Sequence, residues 1–207
     1  MKDYKNRQEA FWAGEFGDTY RERNTWERLA GSNIAFFARL LSRMKPIHTV
    51  IEFGANIGLN LRALHYLRPG IALHAVEINA RAISELKSCD FIKASHESII
   101  DFKAKDKYDL AFTKGVLIHI HPEKLPAVYK NLYNASSKYI LIAEYYNPVP
   151  VNIPYRGHED KLFKRDFAGE MLNAYADLDL VDYGFVYRRD PNFPLDDINW
   201  FLLEKRG

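Results

Sequence analysis

The chain has 207 residues, of which 47% are hydrophobic, and its formal net charge is only +2. This length and apolar content suffice for one domain with a buried core, and the small charge excludes a strong electrostatic attraction to nucleic acid. The single cysteine, Cys89, excludes an intrachain disulfide and a cysteine-based zinc cluster, and it fits a reducing cytoplasm. The N-terminal stretch has no apolar core of signal-peptide length, and no run of about 18 apolar residues predicts a membrane span.

The N-terminal 45 residues are predicted to be helical and to form a cap beside the rest of the domain. The stretch QEAFWAGEFGDTYRERNTWERLA mixes acids, bases and aromatic residues, and it is interpreted as short helices broken at Gly14 and Gly17. A further helix is predicted from Ser32, because apolar residues follow at helical spacing, and Pro46 ends it.

The middle of the chain alternates between apolar runs and amphipathic stretches. Strands are predicted at 48–53, 71–78, 90–95, 108–115 and 138–146, with helices at 57–67, 79–88 and 122–136. Strands that alternate with helices indicate βαβ units and a parallel sheet.

The last third of the chain follows a different pattern. Three prolines predict an irregular segment at 147–154, and a helix is predicted at 160–175. Two further strands, 180–189 and 198–206, are separated by only eight residues. A loop this short cannot hold a crossover helix, so the pair should be antiparallel. The sequence therefore predicts an α/β fold, a three-layer Rossmann-like sandwich with a seven-stranded, mostly parallel sheet and an antiparallel C-terminal hairpin.

The stretch VIEFGANIGLNLRAL places a glycine loop between the first strand and its helix, where doubly wound folds bind ligands. Gly54 can take a positive φ, and Gly58 allows close packing at the start of the helix. A dinucleotide fingerprint would need glycine at positions 56 and 59, which are Asn56 and Leu59, so a pyrophosphate loop is poorly supported. Glu52 would repel phosphate but would suit an ammonium group.

A second acid, Glu77, ends the next strand nineteen positions after Gly58. An acid at this spacing is placed to accept hydrogen bonds from both ribose hydroxyls of a nucleoside. Taken alone, the loop could also be an ordinary strand-to-helix turn, and Glu77 could be a solvated charge at the end of a strand.

Together with the antiparallel tail, these residues resemble class I methyltransferases that use S-adenosylmethionine, and the resemblance covers nearly the whole chain. The departure is Asn56, where many members have glycine, but asparagine tolerates left-handed geometry and its amide can reach a cofactor. Cofactor-binding residues implied by the resemblance are Trp12, Arg23, Glu52, Gly54, Ala55, Asn56, Gly58, Glu77, Ile78, Ser95, His96, Thr113, Lys114 and Gly115.

One of these residues departs from the family pattern, and one of these regions allows a second explanation. Ser95 stands where the family commonly has an aspartate that contacts adenine. The aromatic N-terminal segment, with Phe11, Trp12, Tyr20 and Arg23, is expected to fold over the cofactor as a lid, although plain packing against the sheet would also explain it.

The segment FTKGVLIHIHPEKL resembles the one that follows the fourth strand in small-molecule methyltransferases, and His119 aligns with its second histidine. His119 is the candidate base if the acceptor is a hydroxyl, because histidine titrates near neutrality. A packed or capping histidine is the alternative. His119 and His121 lack the i, i+4 spacing of a metal pair, so no metal site is predicted.

Substrate-binding residues are expected after the fifth strand, at the edge of the sheet that faces the acceptor. The candidates are Tyr145, Tyr146, Asn147 and Arg156. The bases of 161–165 could add charge-assisted hydrogen bonds to an anion, but acids lie among them, and a solvated helix with i, i+4 ion pairs explains that stretch equally well.

The segments FWAGEFGDTYRERN, YRGHEDKLFKRDFAGEML and DYGFVYRRDPNFPLDDINWFLLEK resemble a narrower family, the pseudaminic acid biosynthesis-associated methylases. This resemblance implies a small, anionic, sugar-derived acceptor: a nonulosonic acid, its nucleotide-activated form or a precursor. Methylation of RNA or protein is the competing enzymatic interpretation, although RNA would usually need a basic, aromatic face. A non-catalytic cofactor-binding partner protein is the third hypothesis.

Overall fold

The computed structural model describes residues 6–206, without the side chains of residues 20–23 and 158–159. The helices are α1 (Arg7–Ala13), α2 (Glu15–Arg23), α3 (Trp26–Leu41), α4 (Leu59–Leu67), α5 (Ala80–Lys87), α6 (Leu125–Ala135) and α7 (Phe167–Ala174). The strands are β1 (Thr49–Phe53), β2 (Ala72–Glu77), β3 (Ile92–His96), β4 (Tyr108–Lys114), β5 (Ser136–Glu144), β6 (Val151–Tyr155), β7 (His158–Lys164), β8 (Leu178–Val186) and β9 (Ile198–Lys205). Short 3-10 turns cover Leu117–His119 and Pro122–Lys124.

Seven strands form one sheet in the order β3-β2-β1-β4-β5-β9-β8. Strands β1 to β5 are parallel, β9 runs antiparallel to β5, and β8 runs antiparallel to β9. The predicted fold, including the antiparallel C-terminal pair, is therefore confirmed.

Apolar side chains alternate along the central strands, and each face of the sheet has its own core. Val50 faces the layer made by α3, α4 and α5, whereas Ile51 faces the layer that contains α6 and α7. Phe37 is fully buried in the first layer, and Met171 is fully buried in the second. This alternation gives the three layers, because side chains in a strand point to opposite faces in turn.

The N-terminal helices differ in detail from the prediction. Helix α3 begins at Trp26 rather than at Ser32 and packs beside α4, while the chain breaks at Gly14 but not at Gly17. Gly17 lies inside α2, where an added Cβ would sit 1.9 Å from the Trp12 carbonyl oxygen. Gly17 is thus required by close contact between two helices and not by a turn. The division into a cap (1–45) and a core (46–207) stays a prediction.

The prediction for residues 147–175 was wrong in part. Residues 151–164 form a two-stranded antiparallel hairpin, β6–β7, and only Phe167–Ala174 is helical. Arg156 and Gly157 make its turn with φ of 51° and 82°, as hairpin turns of type I′ require at both central positions. Pro154 is tolerated because this ribbon consists of two edge strands, and the pairing register shifts beside it.

Within residues 6–206, no helix is both long and apolar enough to cross a membrane.

Candidate functional site

The glycine loop lies at the carboxyl end of β1, between β2 and β4. From β1 the chain continues through β2 to β3 on one side and then crosses to β4 on the other side of β1, so the loop stands at the topological switch point where open α/β sheets bind ligands. The residues after β4 and β2 end at the same edge because the three strands are parallel.

Three residues of the loop have left-handed backbone geometry. Gly54 has φ +77°, Asn56 has φ +48° and Gly58 has φ +77°. Asn56 therefore adopts the left-handed geometry that asparagine was expected to tolerate. An added Cβ at Gly58 would lie 2.7 Å from Leu86 Cδ2, so this glycine permits close packing of α4 against α5.

Gly54→Ala should destabilise the protein by about 2–4 kcal/mol, because a left-handed residue costs about 1–2 kcal/mol and the new Cβ would lie 2.7 Å from Val116 Cγ2. Gly115→Ala is the matched control, since Gly115 has φ +69° but nothing within 4 Å of an added Cβ. Urea denaturation compares the two free energies of unfolding. Equal losses in both variants would mean that the contact with Val116 has no weight.

Glu77 connects the glycine loop to the end of β2. Its Oε2 accepts from the Asn56 backbone N–H at 2.8 Å, and its Oε1 accepts from the N–H groups of Ile78 and Asn79 at 2.8 and 2.7 Å. Burial raises the pKa of this carboxyl, while the three backbone hydrogen bonds oppose that rise. Glu77 therefore holds the loop in shape and retains one lone-pair position on Oε2 for a ligand.

Glu52 is 1% exposed and lies at the end of β1 beside the loop. Its Oε1 accepts from Asn60 Nδ2 at 2.6 Å, whereas its buried Oε2 has no hydrogen-bond partner among the described residues. Burial raises the pKa of Glu52 to about 8 against the opposing effects of Asn60 and Lys114. A buried acceptor without a partner is costly, and it marks a position that a ligand donor can fill.

Lys114 ends β4 and is electrostatically coupled to Glu52. Burial lowers the pKa of its ammonium, and the carboxylates of Glu52, Asp196 and Glu144 oppose that shift. The next residue, Gly115, is fixed by a backbone hydrogen bond to the Ala143 carbonyl at 2.9 Å. The end of β4 thus brings a half-buried cation close to the acid at the end of β1.

Glu144 is a site residue that the sequence analysis did not identify. It is 2% exposed and accepts hydrogen bonds from the backbone N–H groups of Val116, Leu117 and Ile118 at 2.9–3.4 Å. Burial raises its pKa to about 7, while those hydrogen bonds lower it. Glu144 therefore anchors the segment that follows β4. The only signal in the sequence is an acid that ends an apolar strand, as Glu52 and Glu77 also do.

His119 follows in the same segment and is 7% exposed. Its Nδ1 donates to the Lys161 carbonyl of β7 at 2.7 Å, because a carbonyl can only accept. Nε2 consequently carries the lone pair of the neutral ring. Burial lowers the pKa of His119 to about 4, so the imidazole is neutral at pH 7.

Aromatic rings of three segments enclose His119. The ring centroids of Trp12 and Tyr155 lie 4.5 and 5.0 Å from that of His119, and Phe16 is in edge contact with both of these rings. Asn79 Nδ2 also donates to the Trp12 carbonyl at 3.2 Å. Helices α1 and α2 therefore cover the carboxyl edge of the sheet, where a lid is expected.

The remaining residues that were expected to bind the cofactor do not all lie beside the glycine loop. His96 Nε2 lies 2.9 Å from the Ile78 carbonyl and so belongs beside Glu77. Ser95 instead hydrogen-bonds His74, which also contacts the Tyr108 hydroxyl. The side chains of Tyr20 and Arg23 lie outside the described part of the structure, so their predicted role stays a prediction.

The expected substrate residues fall into two groups. Arg156, at the tip of the β6–β7 hairpin, lies over the Tyr155 ring with 5.7 Å between its Cζ and the ring centroid. Tyr145 has Lys164 Nζ 5.2 Å above its ring. Tyr146 instead contacts Phe201 of β9, and Asn147 Nδ2 donates to the Val149 carbonyl at 2.6 Å. Arg165 forms an ion pair with Glu170 at 2.6 Å.

No group of three or more histidine, cysteine, aspartate or glutamate side chains suited to holding a metal ion occurs within residues 6–206.

No protein-family model matches the chain, and no curated protein matches its sequence. Solved structures share its fold. The 1,6-didemethyltoxoflavin-N1-methyltransferase of Burkholderia thailandensis, crystallised with 1,6-didemethyltoxoflavin and S-adenosylhomocysteine, has a TM-score of 0.67 at 17% identity over 93% of this chain and 86% of that one.

Two more solved structures share the fold over most of this chain. Magnesium protoporphyrin IX methyltransferase of Synechocystis, with bound S-adenosylhomocysteine, has a TM-score of 0.67 at 12% identity over 96% of this chain and 97% of that one. An N-methyltransferase of Bradyrhizobium japonicum has a TM-score of 0.63 at 14% identity over 89% of this chain and 98% of that one. At such identities the likeness shows that the chain has the Rossmann-like fold of these methyltransferases.

Proposed function

We propose that this protein transfers a methyl group from S-adenosylmethionine to a small acceptor. The observation that carries this proposal is Glu52, whose Oε2 is buried at the ligand-binding edge of the sheet and has no hydrogen-bond partner in the described part of the chain. A cationic donor satisfies such an oxygen, and an ammonium group also removes the cost of burying the charge. A phosphate would be repelled there.

The charges beside Glu52 favour the amino-acid end of that cofactor. Lys114 interacts electrostatically with Glu52, so the edge offers a cation close to an acid that an ammonium ligand would hold ionised. This pair fits a zwitterion, with its ammonium held by Glu52 and its carboxylate by Lys114. When bound, S-adenosylmethionine supplies a methyl group already activated on a sulfonium, and the protein chiefly has to align the acceptor and exclude water.

The nucleoside end of the cofactor fits the other side of the glycine loop. Glu77 retains an acceptor position on Oε2 after its three backbone hydrogen bonds, and a ribose hydroxyl can donate there. Between Glu52 and Glu77, the left-handed Gly54 and Asn56 form the turn of the loop.

The acceptor is proposed to be an anionic, sugar-derived molecule: a nonulosonic acid such as pseudaminic acid, its nucleotide-activated form or a precursor. The support is the resemblance of the terminal segments, together with Arg156 on the hairpin. Its guanidinium lies over Tyr155, whose ring is next to His119. An acceptor carboxylate paired with Arg156 would therefore lie close to the candidate base. Arg165 is less suited to this task because it pairs with Glu170.

His119 is proposed to accept the proton of an acceptor hydroxyl at Nε2, since Nδ1 donates to the Lys161 carbonyl. His119→Ala should lower kcat by about 100-fold, which is the low end of the range for general bases. The effect is small because a base of low pKa has little driving force for accepting a proton from the acceptor hydroxyl. His121→Ala, on the more exposed neighbouring histidine, is the control and should keep full turnover. Because the pKa of His119 is about 4, its titration should not reduce kcat between about pH 8 and pH 5.

Mass spectrometry of methyl transfer across nucleotide sugars and nonulosonic acids tests the acceptor. A mass gain on one of them is expected, and no gain on any of them would overturn the sugar proposal. Filter binding with RNA tests the main alternative. Cofactor binding with no acceptor found in any class would favour a non-catalytic cofactor-binding protein.

A further inference from the structure

The two edges of the main sheet are protected to different degrees. Strand β3 forms one edge with five residues and carries Lys93, a charge that discourages pairing with another chain. Strand β8 forms the opposite edge with nine residues, Leu178–Val186; it has neither lysine nor proline, and its register shift between Leu180 and Asp182 leaves the regular stretch Asp182–Val186. No further strand pairs with it within residues 6–206. An exposed strand of this length is a template for pairing.

Apolar side chains are exposed along the same edge. Six of the nine large hydrophobic side chains that are exposed in the described residues lie within 180–193. Tyr183 is 64% exposed, Phe185 49% and Tyr187 46%, and the Tyr183 ring stacks with Phe201 of β9. Alternate residues of a strand share one face, so these three rings form a stripe. Exposed apolar stripes of this kind mark interaction surfaces.

The charges of this edge are segregated along the strand. Asp179 and Asp182 lie in its first half, and Arg188 and Arg189 follow its end. Two copies of β8 in antiparallel orientation would set the acidic half of each against the basic end of the other. Asp179 and Arg188 already form exposed ion pairs with Arg206 and Asp197, and a partner's charges can extend these pairs into a network.

We infer that the protein forms a two-fold symmetric dimer in which β8 pairs antiparallel with β8 of a second copy. A two-fold axis places one patch against itself, which suits a strand with opposite charges at its two ends. Aromatic residues of the two copies would then become cross-strand neighbours, the side-chain pairs that stabilise sheets. Six half-exposed rings, three from each copy and roughly 200 Å² each, give an apolar centre of roughly 600 Å², and the backbone edge and charged ends add the rim of a standard interface.

Light scattering coupled to size exclusion, over a range of protein concentrations, tests the dimer. The wild-type chain should be dimeric, and Tyr183→Lys combined with Phe185→Lys should weaken association at least about tenfold, because like charges then face each other across the axis. Tyr66→Lys, at a ring 65% exposed elsewhere on the surface, is the matched control and should stay dimeric. A monomeric wild type, or a dimer that tolerates the double substitution, would overturn the inference.

Hydrogen exchange separates strand pairing from a different dimer. The amides of Leu178–Val186 should exchange more slowly in the wild-type dimer than in the monomeric double variant, because their outward N–H groups are bonded only in the dimer. A dimer with identical exchange at β8 would contradict the proposed geometry.

Discussion

Glu52→Gln should stabilise the ligand-free protein at alkaline pH and weaken its binding of S-adenosylmethionine. The substitution keeps an oxygen for Asn60 Nδ2 and removes a buried carboxylate whose Oε2 accepts no hydrogen bond from any described residue. Removing that charge also removes the pairing partner proposed for the cofactor ammonium. Loss of a charged hydrogen bond corresponds to a decrease in affinity of about 10- to 100-fold. Calorimetry with S-adenosylmethionine and urea denaturation measure the two effects on one sample.

The stability difference between these proteins should depend on pH with a defined sign. Burial raises the pKa of Glu52 to about 8 in the folded chain from its ordinary value of 4.5. Between these values the folded state binds the proton and the unfolded state does not, so wild-type stability falls as pH rises, by roughly 1.4 kcal/mol per pH unit. Glu52→Gln should lack this part of the slope and should approach wild-type stability near pH 5.

The exposed Glu97 provides the control for Glu52, because Glu97→Gln should change neither the affinity nor the slope. If the Glu52→Gln variant binds the cofactor as tightly as wild type, Glu52 is not part of the cofactor site. A variant with the wild-type pH slope would show that another group causes it.

Glu77→Ala should lose both cofactor affinity and stability. Three backbone N–H groups, of Asn56, Ile78 and Asn79, would lose their acceptor, and unsatisfied buried donors cost about 1–3 kcal/mol each. Partial relaxation and water entry should limit the destabilisation to about 3–5 kcal/mol. Affinity for S-adenosylmethionine should fall at least about 100-fold, since the ribose acceptor is lost and the glycine loop is released. Calorimetry and urea denaturation report the two losses.

Glu77→Gln separates the two roles of this residue. Its carbonyl oxygen can still accept from Ile78 and Asn79, while its amide would face the Asn56 N–H as a second donor. Stability should therefore fall less than in Glu77→Ala, while affinity remains low. Wild-type affinity in the alanine variant would contradict the proposed cofactor site.

The sheet could be predicted because its signals are local. The apolar runs of β1 to β5 and the short connection between β8 and β9 lie within a few residues of the chain, and so does the left-handed tolerance of Asn56. The β6–β7 hairpin was missed because its signal conflicted with a stronger local pattern. Three prolines suggested an irregular segment, and the Arg156-Gly157 turn shows its role only when both flanking strands are paired.

The sequence by itself determined the order of β1 to β5 with their helices, the C-terminal strand pair, the glycine loop and the acids at the ends of β1 and β2, because period, spacing and residue type express these features locally. Only the tertiary structure decided what those acids contact. It gave Glu77 three backbone donors and left Glu52 Oε2 buried without a partner within residues 6–206 as far as their side chains are described. It also made Glu144 an anchor and bonded His119 to a strand 42 residues away. Such contacts depend on how distant segments pack, and no local pattern in the chain encodes them.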